Sequence, residues 1–152
     1  MNYLWKLAAG LWLVMALTGC IAEEYDFTPP AVTLSNTDSV QSAELKEANV
    51  DWIGENNKQI KKETDDIISF AKKQEALSYK GGQKIDLLFD SEDFLVEELS
   101  VSLWKNDEEI QLALNDHRSF SLPEEKGEYV IIVYLRSDRG SAQYAGNVVI
   151  LG

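Results

Sequence analysis

Few side chains in this sequence are suited to bond-making chemistry, and those few are scattered. There is one cysteine, Cys20, and one histidine, His117. His117 lies in Asn115-Asp116-His117-Arg118, a turn-like stretch, and no His-Glu-x-x-His run exists to give it metal-ligand partners. A Gly-x-Ser-x-Gly elbow and a glycine-rich phosphate loop are both missing. Carboxylates are plentiful, and Asp90, Glu92, Asp93, Glu97 and Glu98 crowd one region where an acid pair for glycoside hydrolysis is conceivable. Asp90-Ser91-Glu92-Asp93 also offers oxygens to a weak calcium site, without the spacing or glycine of an EF-hand loop. Solvated loop acids are the plainer explanation. The expectation is no catalytic residue, no resident metal and no cofactor.

Cys20 is the exception because of what precedes it. The terminal amine and Lys6 supply a charged start, Leu7 to Leu17 is apolar, and no residue from Leu7 to Ala22 is charged. This is the layout of a secretory signal peptide, and it is short of the ~20 residues of a membrane-spanning helix. Leu17-Thr18-Gly19-Cys20 resembles the lipobox of bacterial lipoproteins. That resemblance implies a signal peptide over residues 1–19, cleavage after Gly19, and a diacylglyceryl thioether on Cys20. It further implies a lipid-anchored protein on the extracytoplasmic face of the cell membrane, with no cysteine left for a disulfide. Two acyl chains at ~0.8 kcal/mol per buried CH₂ hold a domain firmly, whereas one chain is marginal.

Charge narrows the partners. The formal net charge is −12, and losing Lys6 with the signal makes the mature chain one unit more negative. Nucleic-acid binding rests on cationic side chains neutralising phosphate, so a nucleic-acid partner is not expected. An anionic bilayer repels such a surface, which leaves the lipid as the membrane contact.

The elements that would position any site follow from patterning. Residues 20–47 read as a tether, with Pro29, Pro30 and the polar run Ser35 to Ser39, interrupted by a possible short edge strand at Ala31-Val32-Thr33-Leu34. Residues 48–76 read as a helical segment. Within it Ile60, Thr64, Ile67, Ile68 and Ala71 share one helical face and predict a helix over Asn57 to Lys73. From Leu77 the period becomes two. Ile85, Leu87 and Phe89 alternate, as do Leu99, Val101 and Leu103, then Ile110, Leu112 and Leu114, then Phe120 and Leu122, then Tyr129, Ile131, Val133 and Leu135, before a last strand ending at Leu151. Short strands at this spacing predict an antiparallel sandwich over residues 77–152.

Glu125-Lys126-Gly127-Glu128-Tyr129 resembles the tyrosine corner of immunoglobulin-like domains. The resemblance covers about Lys80 to Leu151. It implies a mainly β, immunoglobulin-like antiparallel sandwich preceded by one amphipathic helix. Ile131 then stands where immunoglobulin domains carry their second cysteine, and Trp104 stands where they carry a core tryptophan. Taken together, lipobox, Pro-Pro tether, helix and Gly-Glu-Tyr strand look like small uncharacterised lipoproteins of Gram-positive, Bacillus-type bacteria. That likeness implies no activity.

One strand carries apolar residues on both faces. If Tyr129, Ile131, Val133 and Leu135 point to the core, Val130, Ile132 and Tyr134 point away from it. A sheet solvated on one side alternates apolar with polar, so something should cover this second face. Two occupants are in play: the protein's own helix, through Ile60, Ile67 and Ile68, or a protein or envelope partner. The leading functional expectation is a non-enzymatic binding module. A purely structural lipoprotein and a carboxylate-dependent envelope hydrolase stand behind it.

Overall fold

A computed structural model describes residues 28–152. Cys20, Leu17, Thr18 and Gly19 lie outside the described residues. Among the described residues, eleven strands form two sheets. The smaller contains β1 (Val32–Asn36), β2 (Ser42–Glu44), β6 (Lys84–Phe89) and β9 (Ser119–Ser121), in the order β2-β1-β6-β9. The larger runs β4 (Gln59–Lys62), β3 (Lys46–Ile53), β11 (Gly140–Leu151), β10 (Gly127–Ser137), β7 (Val96–Lys105), β8 (Glu108–Leu112). A last strand, β5 (Ala76–Lys80), runs parallel to the final third of β11, which β3 leaves unpaired. All other pairings are antiparallel. The protein is mainly β, and one short α-helix, α1 (Ile67–Lys72), lies among the described residues, besides a single 3-10 turn at Glu55–Asn57.

Alternation explains the sandwich. Inward residues of the small sheet (Val32, Leu34, Ile85, Leu87, Phe120) meet those of the large one (Val101, Leu103, Tyr129, Ile131, Val133, Leu135, Tyr144, Val148, Ile150) in one apolar core. The β10–β11 hairpin is its spine, paired without a gap from Gly127↔Ile150 to Ser137↔Gly140. Asn106 and Asp107 both take positive φ (51° and 63°), the conformation that a two-residue hairpin turn between β7 and β8 demands. At the start of β10 the Tyr129 hydroxyl donates to the Glu125 carbonyl at 2.8 Å, tying the entering turn to the strand.

Three expectations need correction. The tether ends early: β1, β2 and the start of β3 occupy residues 32–47, and β1 is an interior strand between β2 and β6. Asn57–Lys73 is not one helix. Gln59–Lys62 pairs with β3 as an edge strand, with Ile60 opposite Trp52. Asn56 and Asn57 adopt left-handed φ (55° and 58°), which no continuous helix tolerates. Thr64 is pinned to β3, its amide donating to Asn49 Oδ1 at 2.8 Å and its hydroxyl to the Ala48 carbonyl. The helix starts only after Asp66, whose carboxylate caps it by accepting from the Ser69 amide at 3.1 Å. Those bonds hold the Asp66 carboxyl below the usual carboxylate range. Finally, the core tryptophan is Trp52 on β3, packed edge-on to Phe94 with centroids 5.5 Å apart. Trp104 faces the other way.

Candidate functional site: a groove beside the covered sheet face

The second face of β10 is the natural place to look for a site. Its residues form rows across three strands: Trp104, Val130 and Asn147 in one, Ser102, Ile132 and Ala145 in the next, Ser100, Tyr134 and Gln143 in a third. Helix α1 lies across the middle. Ala71 sits on Ala48, Val130, Ile132 and Ala145, with Ile67, Ile68, Phe70 and Trp104 around them. Val130 is 2% exposed and Ile132 8% exposed, so both are closed to a partner. Tyr134 stays half-buried beyond the helix, beside the amide pair Asn49 and Gln143. Ile67 and Ile68 cover the face, while Ile60 packs against the main core from β4. The apolar stripe is therefore the seat of the helix.

The helix is too short to cover the whole face. At its C-terminal end, between Ile68 and Lys72 on one side and the β7–β8 turn on the other, a groove of about 730 Å³ stays open. Its floor is Trp104 and Val149, with the buried Val130 beneath them, and its rim carries Lys72, Lys105, Asn106, Asp107, Glu128 and Asn147. This volume lies inside the ~300–1,000 Å³ range of small-molecule clefts. Trp104 is half-buried. Asn147 is fixed by donating to the carbonyls of Lys72 and Gln74 at 3.5 and 3.4 Å, which satisfies the end of α1.

Lys105 is already engaged. Its ammonium lies 2.9 Å from the Glu125 carboxylate and 5.2 Å from the centroid of the Tyr129 ring. The hydrogen bond to Glu125 raises its pKa above the ordinary lysine value. Asp107 and Glu128 share the rim, and both are exposed.

Other sequence-flagged residues do not converge. The Asp90 carboxylate accepts from the Ala31 amide at 2.7 Å, Glu92 pairs with Arg118 at 2.8 Å, and Glu97 and Glu98 flank Arg136 at 3.4 and 3.2 Å. His117 is exposed in a turn that the Asn115 side chain organises by accepting from the His117 and Ser119 amides, each at 2.9 Å. Among the described residues no group of three or more histidine or carboxylate side chains is placed to hold a metal ion, and no helix is long and apolar enough to cross a membrane.

Trp104 is the groove residue that sequence reasoning misassigned. The signal was available: Leu103 points inward, so its neighbour Trp104 points outward by strand parity. A second hollow of about 560 Å³ lies by Thr28, Pro29, Lys62, Phe70 and Tyr144. It is lined by the buried ring of Tyr144 and is the smaller of the two. No protein-family model matches the chain, and no curated protein matches it.

Proposed function

We propose that this chain is an exported lipoprotein, held on the extracytoplasmic face of the cell membrane by a diacylglyceryl group on Cys20, whose immunoglobulin-like sandwich is a non-enzymatic binding module. The lipobox resemblance of Leu17-Thr18-Gly19-Cys20 supports the anchor. The pairing β6–β9 in one sheet and β8-β7-β10-β11 in the other supports the immunoglobulin-like reading, since it matches the B–E and C′–C–F–G neighbours of that fold. So does the Tyr129 hydroxyl on the Glu125 carbonyl, with the core residue Ile131 two positions on. Strands β1 to β4 and helix α1 are then an N-terminal elaboration that widens both sheets and closes most of one outer face.

The single observation that carries the binding reading is the open groove over Trp104, left where α1 ends. Fold analogy alone carries little weight for function. A purely structural lipoprotein is the second reading, favoured by the burial of Val130 and Ile132 under α1.

Two measurements test the proposal. Cys20→Ser is expected to release the protein from membranes and to abolish incorporation of radiolabelled palmitate; membrane retention without label in the native chain refutes the anchor. A photo-crosslinker at Asp107, on the groove rim, is expected to capture one identifiable envelope component in living cells, and to lose it when Trp104→Ala is added. Reproducible failure to capture anything supports the structural reading instead.

A further inference from the structure

We infer that the Trp104 groove takes a short, electrically neutral saccharide, an inference that rests on the binding-module reading and names its ligand class. Charge is the first argument. The chain as a whole is strongly acidic, at −12, yet the groove rim carries two cations, Lys72 and Lys105, against two anions, Asp107 and Glu128. Glu125, paired with Lys105, adds one carboxylate at the edge, so the rim is close to balance and offers no cationic surface to a polyanion. Lys105, the cation nearest the β7–β8 turn, is further neutralised by Glu125. Anionic ligands need converging cationic donors, and of the two rim cations Lys105 is already engaged by Glu125.

Shape and surface chemistry are the second argument. A pyranose ring presents an apolar C–H face and a belt of hydroxyls. The groove offers the matching halves: an indole with the apolar Val149 beside it as floor, and planar amides and carboxylates from Asn106, Asn147, Asp107 and Glu128 around it. The indole face carries the negative lobe of its quadrupole, which attracts polarised C–H groups. The Asn106 amide supplies donors, and the Asn147 carbonyl with the Asp107 and Glu128 carboxylates supplies the acceptors that hydroxyls need. A wholly apolar ligand would leave that polar rim desolvated and unpaired. The floor is also pre-organised. Trp104 stands on a strand paired on both sides, to β10 and β8, and Asn147 is held by the helix terminus.

Full-length protein in detergent micelles, titrated calorimetrically with chitotetraose and with cellotetraose, tests this. At least one tetrasaccharide is expected to bind. Trp104→Ala should weaken it roughly tenfold or more, as loss of a stacked aromatic anchor does. Trp104→Phe should retain part of the affinity, and Ile53→Ala, on β3 away from the groove, should leave it unchanged. A native circular-dichroism spectrum for each variant separates lost contacts from lost folding. No binding by either sugar, or binding indifferent to Trp104→Ala, overturns the saccharide assignment. If that happens while Asp107 still captures a protein in cells, the ligand class is wrong and the binding-module reading stands. If the crosslinker is silent too, both fall.

Discussion

The Tyr144 hydroxyl donates a buried 2.6 Å hydrogen bond to the carbonyl of Pro30, 114 residues earlier in the chain. This bond fastens the N-terminal entry of the fold to the centre of β11. Pro29 and Pro30 are buried at that point, and the Ala31 amide is fixed at the same level by Asp90. Residues 29–31 therefore belong to the sandwich itself. Tyr144→Phe keeps the ring and removes the donor, leaving the Pro30 carbonyl buried and unpaired. The expected loss is about 1–3 kcal/mol in urea denaturation; an unchanged midpoint counts against this role.

Alkaline pH should act through the same residue. Burial, and secondarily the charges of Glu47 and Asp90, raise the Tyr144 phenol well above its ordinary value of 10.0. Burial also raises Tyr79. A phenol that ionises more readily unfolded than folded stabilises the fold fully below the unfolded pKa. That contribution is lost as pH rises above about 10, because the unfolded state then binds fewer protons. Stability of the native chain is expected to fall above pH 10, and Tyr144→Phe should flatten the fall. Thermal melts from pH 8 to 11 give the comparison.

Tyr129→Phe removes the bond to the Glu125 carbonyl but keeps the ring under Lys105. A cost of about 0.5–1.5 kcal/mol is expected. A wholly neutral substitution would show that the turn before β10 is held by the packed ring and not by the hydroxyl.

Ala71 is the contact through which α1 seats on the sheet, and it is fully buried. Ala71→Asp places a carboxylate against Val130 and Ile132 with no partner. Either the domain loses about 1–3 kcal/mol or more, or the helix lifts and bares the apolar stripe. Enhanced binding of a hydrophobic dye, with a lowered melting temperature, is the expected outcome. A native melting temperature with no dye binding would mean that the helix is not needed to cover the face.

Gly140 closes the β10–β11 turn at φ +135°, and a Cβ there would collide with the Asp51 carbonyl of β3. Gly140→Ala should cost about 1–3 kcal/mol through backbone strain. The shift of the denaturation midpoint reads it directly.

Residues 84–151 were legible from their order alone. Period-two alternation is a local constraint, so Ile85-Leu87-Phe89 and Leu99-Val101-Leu103 announce strands whatever lies beside them. Gly127 and Tyr129 announce the turn into β10 for the same reason: the φ of one residue and the reach of one phenol decide it. What alternation cannot supply is the partner. Ile60, Thr64 and Ile67 satisfy a helical period, yet the open edge of β3 captures Gln59–Lys62 as a strand, because pairing satisfies backbone groups that the helix would otherwise satisfy internally. Lys61 and Lys62 suit that edge, where charge discourages further pairing.

The groove is a tertiary product in the same sense. Parity along β7 already turns Trp104 away from Leu103, so its outward direction is written in the sequence. Whether an outward tryptophan lies bare, buried or at the mouth of a groove depends on where α1 stops. That is decided by the Asp66 cap at one end and by Asn147 on the Lys72 carbonyl at the other. Asn147 is separated from that carbonyl by 75 residues. No local pattern contains a contact at such separation; it forms only once β11 has paired beside β10 and the sheet has presented its face to the helix.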